Sequence, residues 1–344
     1  MMLEERKIKI LAAIIDEYIS TAEPVSSRTI ARKYNLGISP ATIRNEMADL
    51  EESGYLFQPH TSAGRIPSHK GYRYYVDFLL PSKKLNEIDQ TLIRRAFEKR
   101  VNELEEIAKQ AARVISRLTS YTAIIMGPQL ETSHLKHIQI TRIDETKGLL
   151  LMVTNYGNVS HHIIDIPQNF SDSDFVRISN ILNANLTGKT FSEITNEIMD
   201  AVKTEMIEYD EILNLLLEIL LDNLGDIQEN TQVVSAGSSK MLEYPEFQDV
   251  EKVKSFLSLL EHRELIIKAL KDLSKPNTIT VTIGNENTLT ELQDFSIVTA
   301  NVSVDKKKFG YIGIMGPTRM EYSRVISILE QVTEYLIKTV SDML

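Results

Sequence analysis

The chain has no cysteine and no tryptophan in its 344 residues. Without thiols there is no disulfide frame and no thiolate metal site. No apolar run approaches the ~20 residues of a membrane-crossing helix, and the acidic start has no apolar targeting core. Together these absences predict a cytoplasmic protein with no membrane partner. Positive charge is also short, 38 Lys and Arg against 48 Asp and Glu, for a net charge of −10. A chain of this charge cannot coat DNA nonspecifically, so any nucleic-acid partner would need a defined site.

Enzyme chemistry is equally thin. His161 and His162 are adjacent in a predicted strand and point to opposite faces, so they cannot chelate one ion from it. Gly237-Ser238-Ser239-Lys240 lacks the Ser-x-x-Lys spacing of an activated serine and reads as a loop running into a helix cap. No carboxylate pair stands out as an acid/base couple, and the C-terminal part has neither GxGxxG nor P-loop. The expectation is a non-enzyme with no catalytic residue, no metal and no cofactor.

What the chain does have lies at positions 26–68. Ser26 can cap a first helix carrying Ile30 and Tyr34 inward. Gly37 can take the left-handed conformation of a sharp turn. Ser39 caps and Pro40 starts a second helix, on which Ile43, Met47 and Leu50 form one apolar stripe. Gly54 stops it. A short strand at 55–58 and a Pro/Gly-bearing loop returning through Ile66-Pro67 complete a winged helix-turn-helix. Thr42, Arg44 and Asn45 sit at the start of the second helix, away from the stripe, where base edges are reached. Arg suits guanine and Asn suits adenine through paired hydrogen bonds. Arg28, Ser39, His60, Thr61, Ser62, Arg65, Lys70 and Arg73 are the candidates for phosphate and sugar contacts. Residues 1–84 carry slightly more Lys and Arg than Asp and Glu, whereas the remainder is acidic.

At this length two or three domains are expected. A helical pattern covers 86–119, with Ile88, Leu92, Phe97 and Leu104 read as inward. Runs at 121–126 and 311–315 both end in Gly-Pro and are candidates to pair in one sheet. Segments 135–143, 148–154 and 159–165 alternate like a three-stranded antiparallel meander. Helices near 173–186, 192–207 and 210–224 follow, the last apolar on nearly every face. Strands at 232–236, 278–283, 297–304 and 309–315 alternate with helices at 250–259, 261–273 and 323–344.

These residues resemble the heat-inducible transcription repressor family of the HrcA type. The likeness runs from Ser39-Pro40-Ala41-Thr42-Ile43-Arg44-Asn45 through Gln58-Pro59-His60-Thr61-Ser62-Ala63-Gly64-Arg65-Ile66-Pro67 to Lys70-Gly71-Tyr72-Arg73-Tyr74-Tyr75. It returns at Val234-Ser235-Ala236-Gly237-Ser238-Ser239-Lys240 and Tyr311-Ile312-Gly313-Ile314-Met315-Gly316-Pro317. The resemblance implies a multidomain α+β protein in three parts. They are a winged helix-turn-helix over 1–84, a GAF-like unit over 85–131 and 230–344, and an inserted dimerisation domain over 132–229 made of a three-stranded antiparallel sheet plus helices. It further implies a homodimer on an inverted-repeat operator of double-stranded DNA, repression of chaperone operons, and modulation by a GroEL-type chaperonin. A metabolite-sensing winged-helix regulator and a protein-binding scaffold are the alternatives.

Overall fold

The computed structural model describes residues 3–60, 63–81, 85–98, 104–127, 134–155, 159–166, 170–190, 193–194, 196–206, 209, 212, 216, 219, 233–274, 278–304 and 307–342. Thr61, Ser62, Pro128, residues 82–84 and 156–158, and most of the expected helix 210–224 lie outside them.

The first unit opens with α1 (Glu5–Thr21), α2 (Ser27–Lys33) and α3 (Pro40–Glu52). A two-stranded hairpin, β1 (Leu56–Phe57) with β2 (Ile66–Pro67), follows. Then α4 (His69–Tyr74) runs into one π-helical turn, Tyr75–Leu79. The local reasons are those in the sequence. The Ser26, Ser39 and Ser68 hydroxyls accept the N–H groups of Thr29, Thr42 and Gly71 at 3.1, 3.1 and 3.0 Å, satisfying orphan donors at three helix starts. Gly37 and Gly54 have φ of 69° and 77°, where a side chain would strain the backbone. Ile43, Met47 and Leu50 are buried on one side of α3.

Helices α5 (Glu87–Glu98) and α6 (Leu104–Thr119) lead into β3 (Thr122–Met126). Ile88 does not face inward as its spacing suggests; it is 71% exposed, and Ile93 is buried instead. Asp89 turns in to meet Arg324 at 3.0 Å, which swings its neighbour out.

Next comes a meander of β4 (Leu135–Arg142), β5 (Lys147–Thr154) and β6 (Val159–Asp165), antiparallel throughout. It packs with α7 (Asp172–Leu186) and α8 (Asn196–Glu205) around a core of its own, from Leu135 to Leu216. The free edge of β4 is closed by α7: Asn183 accepts the Ile138 N–H and donates to the Ile138 carbonyl, while Ser179 accepts the Ile140 N–H. A bare strand edge is thereby blunted.

The chain then returns to pair with β3 as β7 (Val233–Ala236), followed by the short α9 (Ser238–Met241). Helices α10 (Val250–Glu261) and α11 (Arg263–Leu273) precede β8 (Thr280–Ile283), β9 (Phe295–Val304) and β10 (Lys307–Pro317). The sheet order is β7-β3-β10-β9-β8. Tyr311–Met315 lies antiparallel to Met126–Thr122, so the two Gly-Pro-ended runs are neighbours. The closing helix α12 (Tyr322–Ser341) buries Val325, Ile328, Leu329 and Val332.

Candidate nucleic-acid interface

Ser39, Thr42, Arg44 and Asn45 are brought together at the N-terminal end of α3. The Ser39 and Thr42 hydroxyls are hydrogen-bonded to each other at 3.0 Å. Arg44 and Asn45 are exposed, facing away from the buried stripe, and neither has a side-chain partner among the described residues. The positive end of the helix dipole lies beside them and favours an anion there.

Three of the four acids in the C-terminal half of α3 are paired, from two sides. Arg6 lies 3.3 Å from Glu46, and Lys7 lies 3.8 Å from Glu46 and 3.0 Å from Asp49. Arg65, on the return strand side of the hairpin, sends Nε and Nη2 to Glu51 Oε2, each at 2.7 Å. Arg6 and Lys7 carry no local sequence signal for this role; only the α1–α3 packing reveals it.

The remaining cations divide into two groups. Arg28 and His60 are exposed, without side-chain partners among the described residues. Lys70 is exposed, yet its Nζ donates to the Ser53 carbonyl at 2.8 Å and stands 4.5 Å from the Tyr55 ring centroid. Arg65 is half-buried in its pair with Glu51. Arg73 turns away from this surface altogether and binds Glu286, 213 residues further along the chain. Gln58 was not singled out by the sequence; its Nε2 donates to the Ala63 carbonyl at 2.8 Å and braces the hairpin. Val25 and Arg65 exchange two backbone hydrogen bonds of 2.9 Å, tying the hairpin to the lead-in of α2.

Elsewhere the candidate chemistry stays dispersed. His161 is exposed and His162 half-buried, in keeping with opposite faces of β6. No group of three or more metal-ligating side chains occurs among the described residues. No described helix is long and apolar enough to cross a membrane.

A small head of three helices and a hairpin, with its second motif helix exposed, is a winged helix-turn-helix, the class of fold that DNA-binding regulators carry. Comparison with known proteins agrees. The family model described as HrcA protein C terminal domain matches residues 105–326. The heat-inducible transcription repressor HrcA of Pelotomaculum thermopropionicum is 43% identical over 336 residues, 98% of this chain and 96% of that protein. Its counterpart from Desulforamulus reducens is 43% identical over 344 residues, 100% of this chain and 99% of that protein. A crystal structure at 2.2 Å, described as a hypothetical protein, superposes with a TM-score of 0.69 at 27% identity and covers 100% of both chains. The chain belongs to the HrcA family of heat-inducible transcription repressors.

Proposed function

We propose that this chain is a sequence-specific repressor of chaperone operons that binds an inverted-repeat operator as a homodimer in the cytoplasm. The observation that carries the reading is the open N-terminal half of α3, where Arg44 and Asn45 have no side-chain partner among the described residues while Glu46, Asp49 and Glu51 behind them are paired. Thr42, Arg44 and Asn45 read bases. Arg28, Ser39, His60 and Lys70 hold phosphates, with Thr61, Ser62 and the paired Arg65 at the wing. In this arrangement Arg73 serves another contact. The chain is divided as a winged helix-turn-helix over 1–84, a GAF-like unit over 85–131 and 230–344, and an insertion over 132–229.

Dimerisation is assigned to the insertion. The outer face of its sheet carries Leu149, Leu151 and Val153 along β5, with Val159 and Ile163 beside them on β6. Ile163 is 65% exposed. A single copy leaves these side chains in water, and a second copy removes them. A two-fold dimer carries two recognition helices, hence an inverted repeat. Modulation by a GroEL-type chaperonin follows from family resemblance, and repression follows from occupancy of promoter DNA.

A mobility-shift titration on the promoter of the organism's own chaperonin operon tests the reading. Arg44→Ala is expected to lose about 1–3 kcal/mol of discrimination between the operator and random DNA. Equal affinity of the unaltered protein for both duplexes would refute it.

A second reading, a metabolite sensor, draws on one feature. A cleft of about 660 Å³ opens between the head and the five-stranded sheet, lined by Arg73, Asp77, Asn301, Ser303, Glu330 and Thr333 among others. A thermal shift with small metabolites in the absence of DNA would favour it.

A further inference from the structure

Arg73 lies on α4, outside the recognition helix, and its Nε and Nη2 are used on the body while Nη1 stays within the head. Nε donates to Glu286 Oε1 at 2.8 Å and Nη2 to Glu286 Oε2 at 2.5 Å. Nη2 also reaches the Val281 carbonyl at 2.5 Å, and Nη1 reaches Asp77 at 3.0 Å. The hydrogen bonds to Glu286, more than those to Asp77, push the guanidinium pKa still further up. Glu286 is itself anchored, because its Oε2 accepts the Ile283 N–H at 2.8 Å. The turn that carries it lies flat on the head. Gly284 has φ of 54°, and a Cβ there would stand 2.3 Å from the His69 ring at the start of α4. The Asn285 N–H donates to His69 Nδ1 at 3.3 Å.

A second anchor runs the other way. Arg319 of the body is only 8% exposed. Its Nη1 donates to the Ile19 carbonyl in the last turn of α1 at 2.9 Å, at the end of the helix dipole that attracts a cation. Glu246 pairs with the same guanidinium, which stands 5.3 Å from the Tyr244 ring centroid. Between the two anchors the rings of Tyr72 and Tyr322 meet, 6.0 Å apart.

Forked arginine–carboxylate pairs fix orientation as well as distance. One such pair, Arg73–Glu286, and the Arg319–Ile19 hydrogen bond, whose guanidinium is itself held by Glu246, tie the head at two separate points, one donated from the head and one from the body, and so oppose both a slide and a swivel. In a two-fold dimer the separation and rotational phase of the two recognition helices then depend on this joint as well as on the dimer contact. Each base pair inserted between half-sites moves the far one by about 3.4 Å and turns it by about 35°. We propose that Arg73, Glu286 and Arg319 are positioning residues that determine which half-site spacing the repressor accepts. This rests on the dimeric DNA-reading function above.

The test uses full-length protein, a duplex that the protein selects from a random pool, its isolated half-site, and versions with the spacer changed by single base pairs. The unaltered protein is expected to show a sharp optimum, losing about tenfold in affinity for one base pair. Glu286→Gln, which alters a carboxylate that no phosphate would approach, is expected to flatten that loss to about threefold or less with half-site affinity unchanged. Arg73→Lys, which keeps the charge but not the fork, is expected to fall between. If Arg73 were a phosphate contact, Glu286→Gln would free it and raise affinity at every spacing, which overturns the proposal. Because the chain has no cysteine, Glu52→Cys accepts one spin label on each recognition helix. The inter-label distance should be narrow in the parent and broad with Glu286→Gln added. An unchanged spacing profile and an unchanged distance width in both variants would also overturn the joint's role while leaving DNA reading intact. No preference among duplexes by the parent defeats the DNA-reading function, and this role with it.

Discussion

Buried side chains of the head, among them Ile14, Ile43 and Tyr72, belong to one continuous core with Ile124, Ile312 and Val332 of the five-stranded sheet and its helices. Those of the insertion, from Leu135 to Leu216, form a second core that includes no residue of the first. The polar contacts repeat the contrast. Arg73 and Arg319 stitch head to body, whereas Asn183 and Ser179 spend their hydrogen bonds inside the insertion. Cooperative units follow buried contacts. The head and the five-stranded sheet with its helices should therefore lose structure together, and the segment between β3 and β7 can loosen alone.

The strongest way to break this comparison is a cavity in each core. Phe175→Ala in the insertion is expected to cost about 3–5 kcal/mol, and Ile43→Ala in the head about 2–5 kcal/mol. Hydrogen exchange should show the first loss confined to β4–β6 and α7. The second should spread from α3 into β3 and β10. Identical exchange patterns for the two variants would merge the units and end the distinction.

The insertion's outer sheet face gives the next effect. Leu151→Asp places a carboxylate where a second copy would seat, at an expected cost of about 2–4 kcal/mol in association. Sedimentation should report monomer while half-site binding by the head survives. A variant that remains dimeric would move the contact elsewhere.

Within the head, Arg44→Ala and Arg65→Ala should separate cleanly. The former removes an unpaired group, so specificity falls while the melting temperature holds. The latter also deprives Glu51 of its partner, so both stability and overall affinity fall, with sequence preference kept. Equal melting losses would place Arg44 in a structural contact.

Acid gives the smallest difference. The Ser171 hydroxyl, then the Ser171 N–H, holds the Asp174 carboxyl below its ordinary range. The folded value is thus lower than the unfolded one. Its stabilising contribution is complete above the ordinary carboxylate value of about 4 and disappears as pH falls through the folded value. The start of α7 should lose exchange protection in that window, and Asp174→Asn should remove the dependence. The same acid profile in both proteins would contradict the assignment.

The contrast also explains what could be read from sequence. Ser26, Gly37, Ser39, Pro40 and Gly54 act on residues within a few positions of themselves, so caps, turn and stripe are legible in the sequence. The meander was legible because β4, β5 and β6 are consecutive and alternate in burial. From its neighbours alone Arg73 is a candidate for a phosphate contact, which is all that they reveal. Its partner Glu286 comes from the far side of the insertion, and no short-range pattern announces it. Ile88 failed for a related reason, since the burial of Asp89 depends on Arg324. Arg65 was legible as a wing residue, but Glu51 captures it only because the hairpin folds back on α3. What is encoded locally is the motif; which of its cations stay free is decided by tertiary contact.

That division makes Arg44 the residue on which the functional reading turns. Methylation protection of guanine N7 on the chaperonin promoter measures its role most directly. The unaltered protein should shield a symmetric pair of guanines in the major groove, and Arg44→Ala should expose that pair while the flanking backbone footprint persists. Identical guanine protection by both proteins would contradict insertion of α3 into the groove.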